Sequence, residues 1–216
     1  MGVEGVTTPP YRIETERLVI RCYEPSDAAA IKEGVDSSLD HLRPFMDWAA
    51  DEPQTIEQKV ALARRFRSWF DSDENYVYGI FPRDESRYLG GTGLHQRGGP
   101  GSLEIGYWVR ADAMRQGIAT ESTAVLTRVG VELCGAHRID LQIDPRNEAS
   151  QGVAKKLGFV HEGTLRRRLP PMGGDGPRRD VMVFTLLAEE LPGSPSAAYD
   201  YAAFDAAGAA MSVPGS

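Results

Sequence analysis

Between Leu103 and Val109 apolar and polar positions alternate: Leu103, Ile105, Tyr107 and Val109 fall on one face, Glu104, Gly106 and Trp108 on the other. This period of two predicts a β-strand. After a short polar connection that contains Gly117, the apolar residues Ile118, Val125, Leu126, Val129 and Leu133 recur at helical spacing and predict a helix ending near Gly135. A glycine turn that feeds a strand into a helix leaves backbone N–H groups unpaired at the positive end of the helix dipole, and phosphate oxygens satisfy such groups well. One glycine by itself is explained more simply by a tight turn.

The same patterns organise the rest of the chain. Residues 17–22 predict a first strand, and Pro25-Ser26-Asp27 opens a helix through Ile31. Residues 37–52 are irregular, mixing Leu42, Pro44, Phe45, Met46 and Trp48 with Asp40, Asp47, Asp51 and Glu52. Thr55 caps a predicted helix to Phe70 whose buried face is Ile56, Val60, Ala63, Phe66 and Phe70. Strands over 76–81 and 88–94 flank the turn 82–86 and make an antiparallel meander with 103–109. The glycines of the second strand mark either bulges or the close passage of a ligand. Further on, 138–143 alternates as a strand, and Asn147 caps a helix with Val153 and Leu157 on its buried face, stopped at Gly158. Two last strands, from Phe159 and over 180–186, enclose an Arg/Gly/Pro-rich loop in which Arg166, Arg167 and Arg168 face solvent.

Composition places these elements in one domain over 11–191, with a loose N-terminus over 1–10 and an Ala/Gly/Pro-rich tail over 192–216. The tail is expected outside the core. Its stretch 196–204 has helical propensity and three aromatics that dock on this chain or on a second copy, as in a homodimer. Of the 216 residues 41% are hydrophobic and 25% charged, the balance of a soluble globular protein. No apolar run approaches membrane-span length and the first residues lack a signal-peptide layout, so a cytoplasmic location is expected. The net charge of -7 disfavours a nucleic-acid surface. Cys22 and Cys134 lack CxxC spacing and the four histidines are scattered, so neither a disulfide nor a metal site is expected.

Residues 103–122, with Asp144-Pro145-Arg146-Asn147-Glu148-Ala149-Ser150 and Leu157-Gly158-Phe159, resemble the GNAT acyl-CoA N-acyltransferases, and the opening Glu14-Thr15-Glu16-Arg17-Leu18-Val19-Ile20-Arg21 resembles the RimJ/RimL branch. The resemblance spans about 11–191. It implies an α+β fold: a mixed, largely antiparallel central sheet with a splayed strand pair that holds CoA, flanked by helices. Where that family opens its pyrophosphate loop with Gln or Arg, this chain has Met114. The backbone donors of Arg115, Gln116, Gly117, Ile118, Ala119 and Thr120 do not depend on side chains, so the departure bears on affinity.

The activity so implied is transfer of an acetyl group from acetyl-CoA to a primary amine, either a protein N-terminus or a small molecule, without a metal. Such transfer needs a base for the amine, donors for the developing oxyanion and support for the leaving thiolate. By resemblance, Glu104 is the base, backbone groups near Trp108, Val109 and Arg110 hold the pantetheine and polarise the thioester, and Asn147 and Ser150 serve the thiol end. The tyrosine that many relatives carry seven residues after the asparagine is Ala154 here. On position alone, Glu104 is equally an exposed strand carboxylate and Ser150 an ordinary first-turn polar residue. The resemblance also implies an acceptor cleft around 37–52, lined by His41, Arg43, Phe45 and Trp48 behind an acidic rim; on pattern alone the aromatics are equally core and the acids a solvated face. Arg43 and His41 also suit a carboxylate, which leaves succinyl-CoA as an alternative donor. A silent acyl-CoA-binding module is the non-enzymatic alternative.

Overall fold

The computed structural model describes residues 9–212 of the chain. Ten strands form one sheet: β1 (Arg12–Glu14), β2 (Leu18–Cys22), β3 (Tyr76–Pro82), β4 (Gly90–His95), β5 (Ser102–Val109), β6 (Arg138–Ile143), β7 (Val160–Leu169), β8 (Arg179–Leu187), β9 (Ala202–Phe204) and β10 (Ala210–Met211). They lie in the order β10-β9-β1-β2-β3-β4-β5-β6-β8-β7. Five helices flank them: α1 (Ala28–Asp36), α2 (Leu39–Leu42), α3 (Ile56–Asp71), α4 (Ile118–Glu132) and α5 (Glu148–Lys156). Neighbouring strands are antiparallel except β5 and β6, which run parallel.

Alternation along the strands sends side chains into two cores. Leu103, Ile105 and Leu141 pack with Leu126 and Val129 of α4 on one face, while Val19, Tyr23 and Phe81 pack with Ile31, Val35 and Ala63 on the other. The helix expected after Asp27 is longer than its pattern, running to Asp36. Helix α3 starts where Thr55 predicts, with a reciprocal cap: Thr55 Oγ1 accepts from Gln58 N and Gln58 Oε1 from Thr55 N. Its expected buried face is only partly correct. Ala63 and Phe70 are buried and Val60 and Phe66 half-buried, but Ile56 in the first turn is exposed, and Lys59 is buried instead by pairing with Glu52.

The tail differs most from expectation. After Leu187 the chain turns through short 3₁₀ segments and adds β9 and β10 to the sheet edge, Ile13 lying opposite Ala203. Leu191 and Ala203 belong to the main core, Tyr199 and Tyr201 pack against it, and buried Ser196 donates to the Leu157 carbonyl. Its aromatics therefore dock on this chain. The helical propensity of 196–204 yields because β1 presents unpaired edge groups that an extended segment satisfies and a helix does not. Strand β1 itself, three residues long, left no pattern to read. The expected loose N-terminus lies mostly outside the described residues, although Pro9 and Pro10 are buried and the Pro10 carbonyl accepts from Tyr78 Oη.

A chain ending at Tyr201 loses β9 and β10. It is expected to be less stable by on the order of 2–4 kcal/mol in chemical denaturation, from the apolar area and edge pairing removed. An unchanged midpoint would mean that the tail is an appendage.

Candidate active site

The site follows from one feature of the sheet. Strands β5 and β6 pair at Ser102 with Arg138, Leu103 with Ile139 and Glu104 with Asp140, and no further. Beyond Glu104 the two strands diverge, while β5 stays paired with β4 up to Val109 opposite Gly90. Arg110 N donates to Leu89 O, and the Gly106 carbonyl accepts from Thr92 Oγ1, so the main-chain groups of Gly106, Trp108 and Arg110 face β4. Those of Ile105, Tyr107 and Val109 consequently face the opening. Of the three residues expected near the pantetheine, Val109 has its main chain toward the opening, whereas the Arg110 N–H is taken by Leu89 and the Trp108 main chain faces β4. The main chain of Tyr107 also faces the opening.

At the end of the opening stands the N-terminus of α4. Gly117 caps it at φ 80°, a left-handed conformation that glycine adopts freely, and Arg115 two residues earlier is also left-handed at φ 61°. The N–H groups of Ile118, Ala119 and Thr120 have no acceptor within the helix. Gln116 and Met114 are exposed. Arg17, distant in sequence, reaches this turn: it donates to the Gln116 carbonyl and pairs with buried Glu121, and a Cβ on Gly117 would stand 3.3 Å from its Nη2.

Two side-chain pairs span the opening, one on each face of the sheet. On the face away from α4, Gln142 of β6 donates to Glu104 Oε2 at 2.8 Å and Arg97 donates to Oε1 at 3.0 Å. Glu104 is buried, and that burial raises its carboxyl above the ordinary value against the pull of Arg97. His95 lies opposite Glu104 in the register, with Nδ1 2.6 Å from Asn75 Oδ1. Burial, with Arg97 adding to it, lowers its pKa to about 4, so the ring is neutral near pH 7. Cβ atoms on Gly93 and Gly106 would come within 2.9 and 3.2 Å of its Nε2. These glycines make room for an imidazole of their own sheet. Gly91 does the same for the Trp108 indole, whose Nε1 would be 2.9 Å from a Cβ there.

On the α4 face, Asn147 Oδ1 accepts from Ser150 N at 3.1 Å, which fixes the first turn of α5, on which Ser150 stands. Ser150 faces the hydroxyl of Tyr107, whose pKa burial pushes up to about 12. Ala154 is fully buried on the inner side of α5.

Over the mouth of the opening sit α2 and the irregular segment after it. His41 Nε2 is 2.9 Å from the Val109 carbonyl, which can only accept, so this nitrogen carries the proton. Arg43 is exposed and donates to the Glu52 carbonyl. Trp48 stacks at 5.7 Å on Trp108, which meets Tyr88 at 5.6 Å, continuing an aromatic wall from the core to the surface. Phe45 is half-buried. Two acids of the expected rim are paired: Asp47 with Arg179 and Glu52 with Lys59. Arg179 also holds Asp144, whose carboxyl is kept down at about 2 chiefly by hydrogen bonds from Arg146. This cluster ties the segment after α2 to β8.

Sequence reasoning thus missed Tyr107, His95, Gln142 and Arg17. The register of the meander would have placed His95 opposite Glu104, and the alternation already set Tyr107 on the α4 face. Among the described residues no helix is long and apolar enough to cross a membrane.

The model of the acetyltransferase (GNAT) domain matches residues 17–160. Among curated proteins the chain is 28% identical over 176 residues to the uncharacterized N-acetyltransferase YoaA of Bacillus subtilis, covering 81% of this chain and 96% of that protein. It is 23% identical over 160 residues to the [ribosomal protein uS5]-alanine N-acetyltransferase of Escherichia coli, covering 72% and 81% respectively. Among solved structures it is similar to Mycobacterium smegmatis RimJ in complex with CoA-disulfide, with a TM-score of 0.74 and 26% identity over 88% of this chain and 95% of that one. The diverging strands, the glycine-led helix and these likenesses agree, and the chain belongs to the GNAT acetyltransferases, in the neighbourhood of RimJ and RimL.

Proposed function

We propose that the protein transfers an acetyl group from acetyl-CoA to the α-amino group of a protein N-terminus in the cytoplasm. The observation that carries this reading is the alignment of three elements: the N–H groups of Tyr107 and Val109 that face the opening, the left-handed Gly117 at its end and buried Glu104 at its apex. Acyl-CoA fits these residues. The N–H groups of Ile118, Ala119 and Thr120 suit the pyrophosphate, and the N–H groups of Tyr107 and Val109 suit the carbonyls of a pantetheine that pairs as an added strand. When bound, acetyl-CoA supplies an activated acyl group.

The chain's own groups do the rest. Glu104, destabilised as an anion by burial, accepts the proton that the amine must lose. His95, neutral beside it, brings no positive charge to oppose an incoming ammonium. Backbone N–H groups of β5 that face the opening stabilise negative charge on the thioester oxygen. Acetyl is preferred over succinyl because Arg43 is exposed and bonded to the Glu52 carbonyl, and His41 is committed to the Val109 carbonyl. A protein acceptor is supported by similarity to the uS5-alanine enzyme and by the exposed Trp48 at the rim. A thiol-release assay with acetyl-CoA against N-terminal peptides and small amines tests the reading. Release with peptides carries it, release only with small amines moves the acceptor class, and no release with either refutes it.

Two substitutions probe the parts. Gly117→Asn keeps a residue tolerated at positive φ, whereas Gly117→Asp adds a negative charge of similar size. CoA affinity by calorimetry is expected to fall at least about tenfold further for the aspartate than for the asparagine. Equal affinities would remove the phosphates from this turn.

Glu104→Gln is expected to lower kcat/KM by about a hundredfold near neutral pH and to recover part of that at alkaline pH, where free amine is abundant. Since burial raises the Glu104 carboxyl, the wild-type rate falls on acidification at a pH above the ordinary carboxylate value. A loss equal at every pH would indicate a positional role.

A further inference from the structure

Among the described residues three buried side-chain polar atoms have no hydrogen-bond partner, His41 Nδ1, Thr123 Oγ1 and the Tyr107 hydroxyl, and the last of these lies at the opening on the α4 face. It is buried and has no hydrogen bond of standard geometry among the described residues. Such an orphaned hydroxyl costs on the order of 1–3 kcal/mol, and phenylalanine would fill the same space without that cost. Yet the side chain lies where β5 leaves β6, and the polar group facing it is Ser150. Ser150 is itself held in place by Asn147.

Resting on the acyl-CoA reading above, we infer that Tyr107 is a positioning residue for the leaving group: once acyl-CoA is bound, its Oη–H donates to Ser150 Oγ, so that the Ser150 proton is directed at the thioester sulfur. As the amine nitrogen bonds to the acyl carbon, the carbon–sulfur bond breaks and its electron pair remains on sulfur as thiolate. The amine proton goes to Glu104 on the opposite face. No proton has to leave Tyr107, whose high pKa suits a lasting hydrogen-bond donor better than an acid. Two donors in series polarise each other, so the Ser150 hydrogen bond to sulfur is stronger with Tyr107 than without it.

The test compares wild type with Tyr107→Phe, Ser150→Ala and the double variant. In binding experiments with CoA, ultraviolet thiolate absorbance gives the pKa of the bound thiol. It is expected to rise by about one unit in either single variant, and no further in the double variant. Affinity for desulfo-CoA should not change. Turnover of acetyl-CoA should fall about tenfold in kcat with KM preserved. The thermal midpoint of free Tyr107→Phe should be equal or higher, because the hydroxyl it lacks is unpaired in the free protein. An unshifted bound-thiol pKa in Tyr107→Phe, or additive shifts in the double variant, overturns the inference and leaves the CoA site standing. Failure of the wild type to bind either CoA or desulfo-CoA overturns both readings.

Discussion

The constraint on which this structure turns is the early end of the β5–β6 pairing. A parallel pair inside a sheet normally continues as long as both strands do, since an unpaired main-chain group away from water costs as much as a lost hydrogen bond. Here β6 runs on to Ile143 paired only with β8, and β5 runs on to Val109 paired only with β4. The sheet thereby carries an internal edge between its two halves. It survives because α4 and the core beneath it hold the halves together, and because His41 answers the Val109 carbonyl from above. An edge of this kind is a template for an extended ligand, and the helix dipole at its end selects an anionic one.

Because side chains alternate along β5, the same opening has two chemically different faces. Glu104 and His95 occupy one, and burial works on them in opposite directions: it raises the carboxyl and lowers the imidazole, so both resist charging. Tyr107 and Ser150 occupy the other and offer hydroxyl donors. A group threaded between the faces would meet a proton acceptor on one side and hydrogen-bond donors on the other. That separation is what amine attack on a thioester requires, since a proton must leave the nucleophile while charge builds on oxygen and sulfur. The glycines at 91, 93 and 106 belong to this design by clearing space for Trp108 and His95.

Much of this was legible in the chain because periodicity reports burial. The meander, α4, α5 and the last hairpin emerge from alternation and helical spacing, and Gly117 and Asn147 mark helix starts with caps whose chemistry is local. The resemblance to the GNAT family supplied what periodicity does not, namely the divergence of β5 from β6. Residues brought in from far along the chain stayed hidden: Arg17, 99 positions before Gln116 in the chain, donates to its carbonyl beside Gly117, and Gln142 reaches Glu104 only after β6 is laid beside β5. The tail was misread for a related reason. Its alanines favour a helix locally, but the β1 edge it completes is a tertiary feature. Arg43 was read as a residue suited to a carboxylate because the fold that turns it toward the Glu52 carbonyl has no signature in sequence.

The claim that the interior edge of β5 holds acyl-CoA is tested most directly by residue-resolved amide hydrogen exchange with and without CoA. The account predicts that the Tyr107 and Val109 amides, which face the opening, exchange much more slowly once CoA is added. Those of Trp108 and Arg110, already bonded toward β4, should change little. Protection at Trp108 and Arg110 instead, or none at Tyr107 and Val109 with CoA bound, would contradict it.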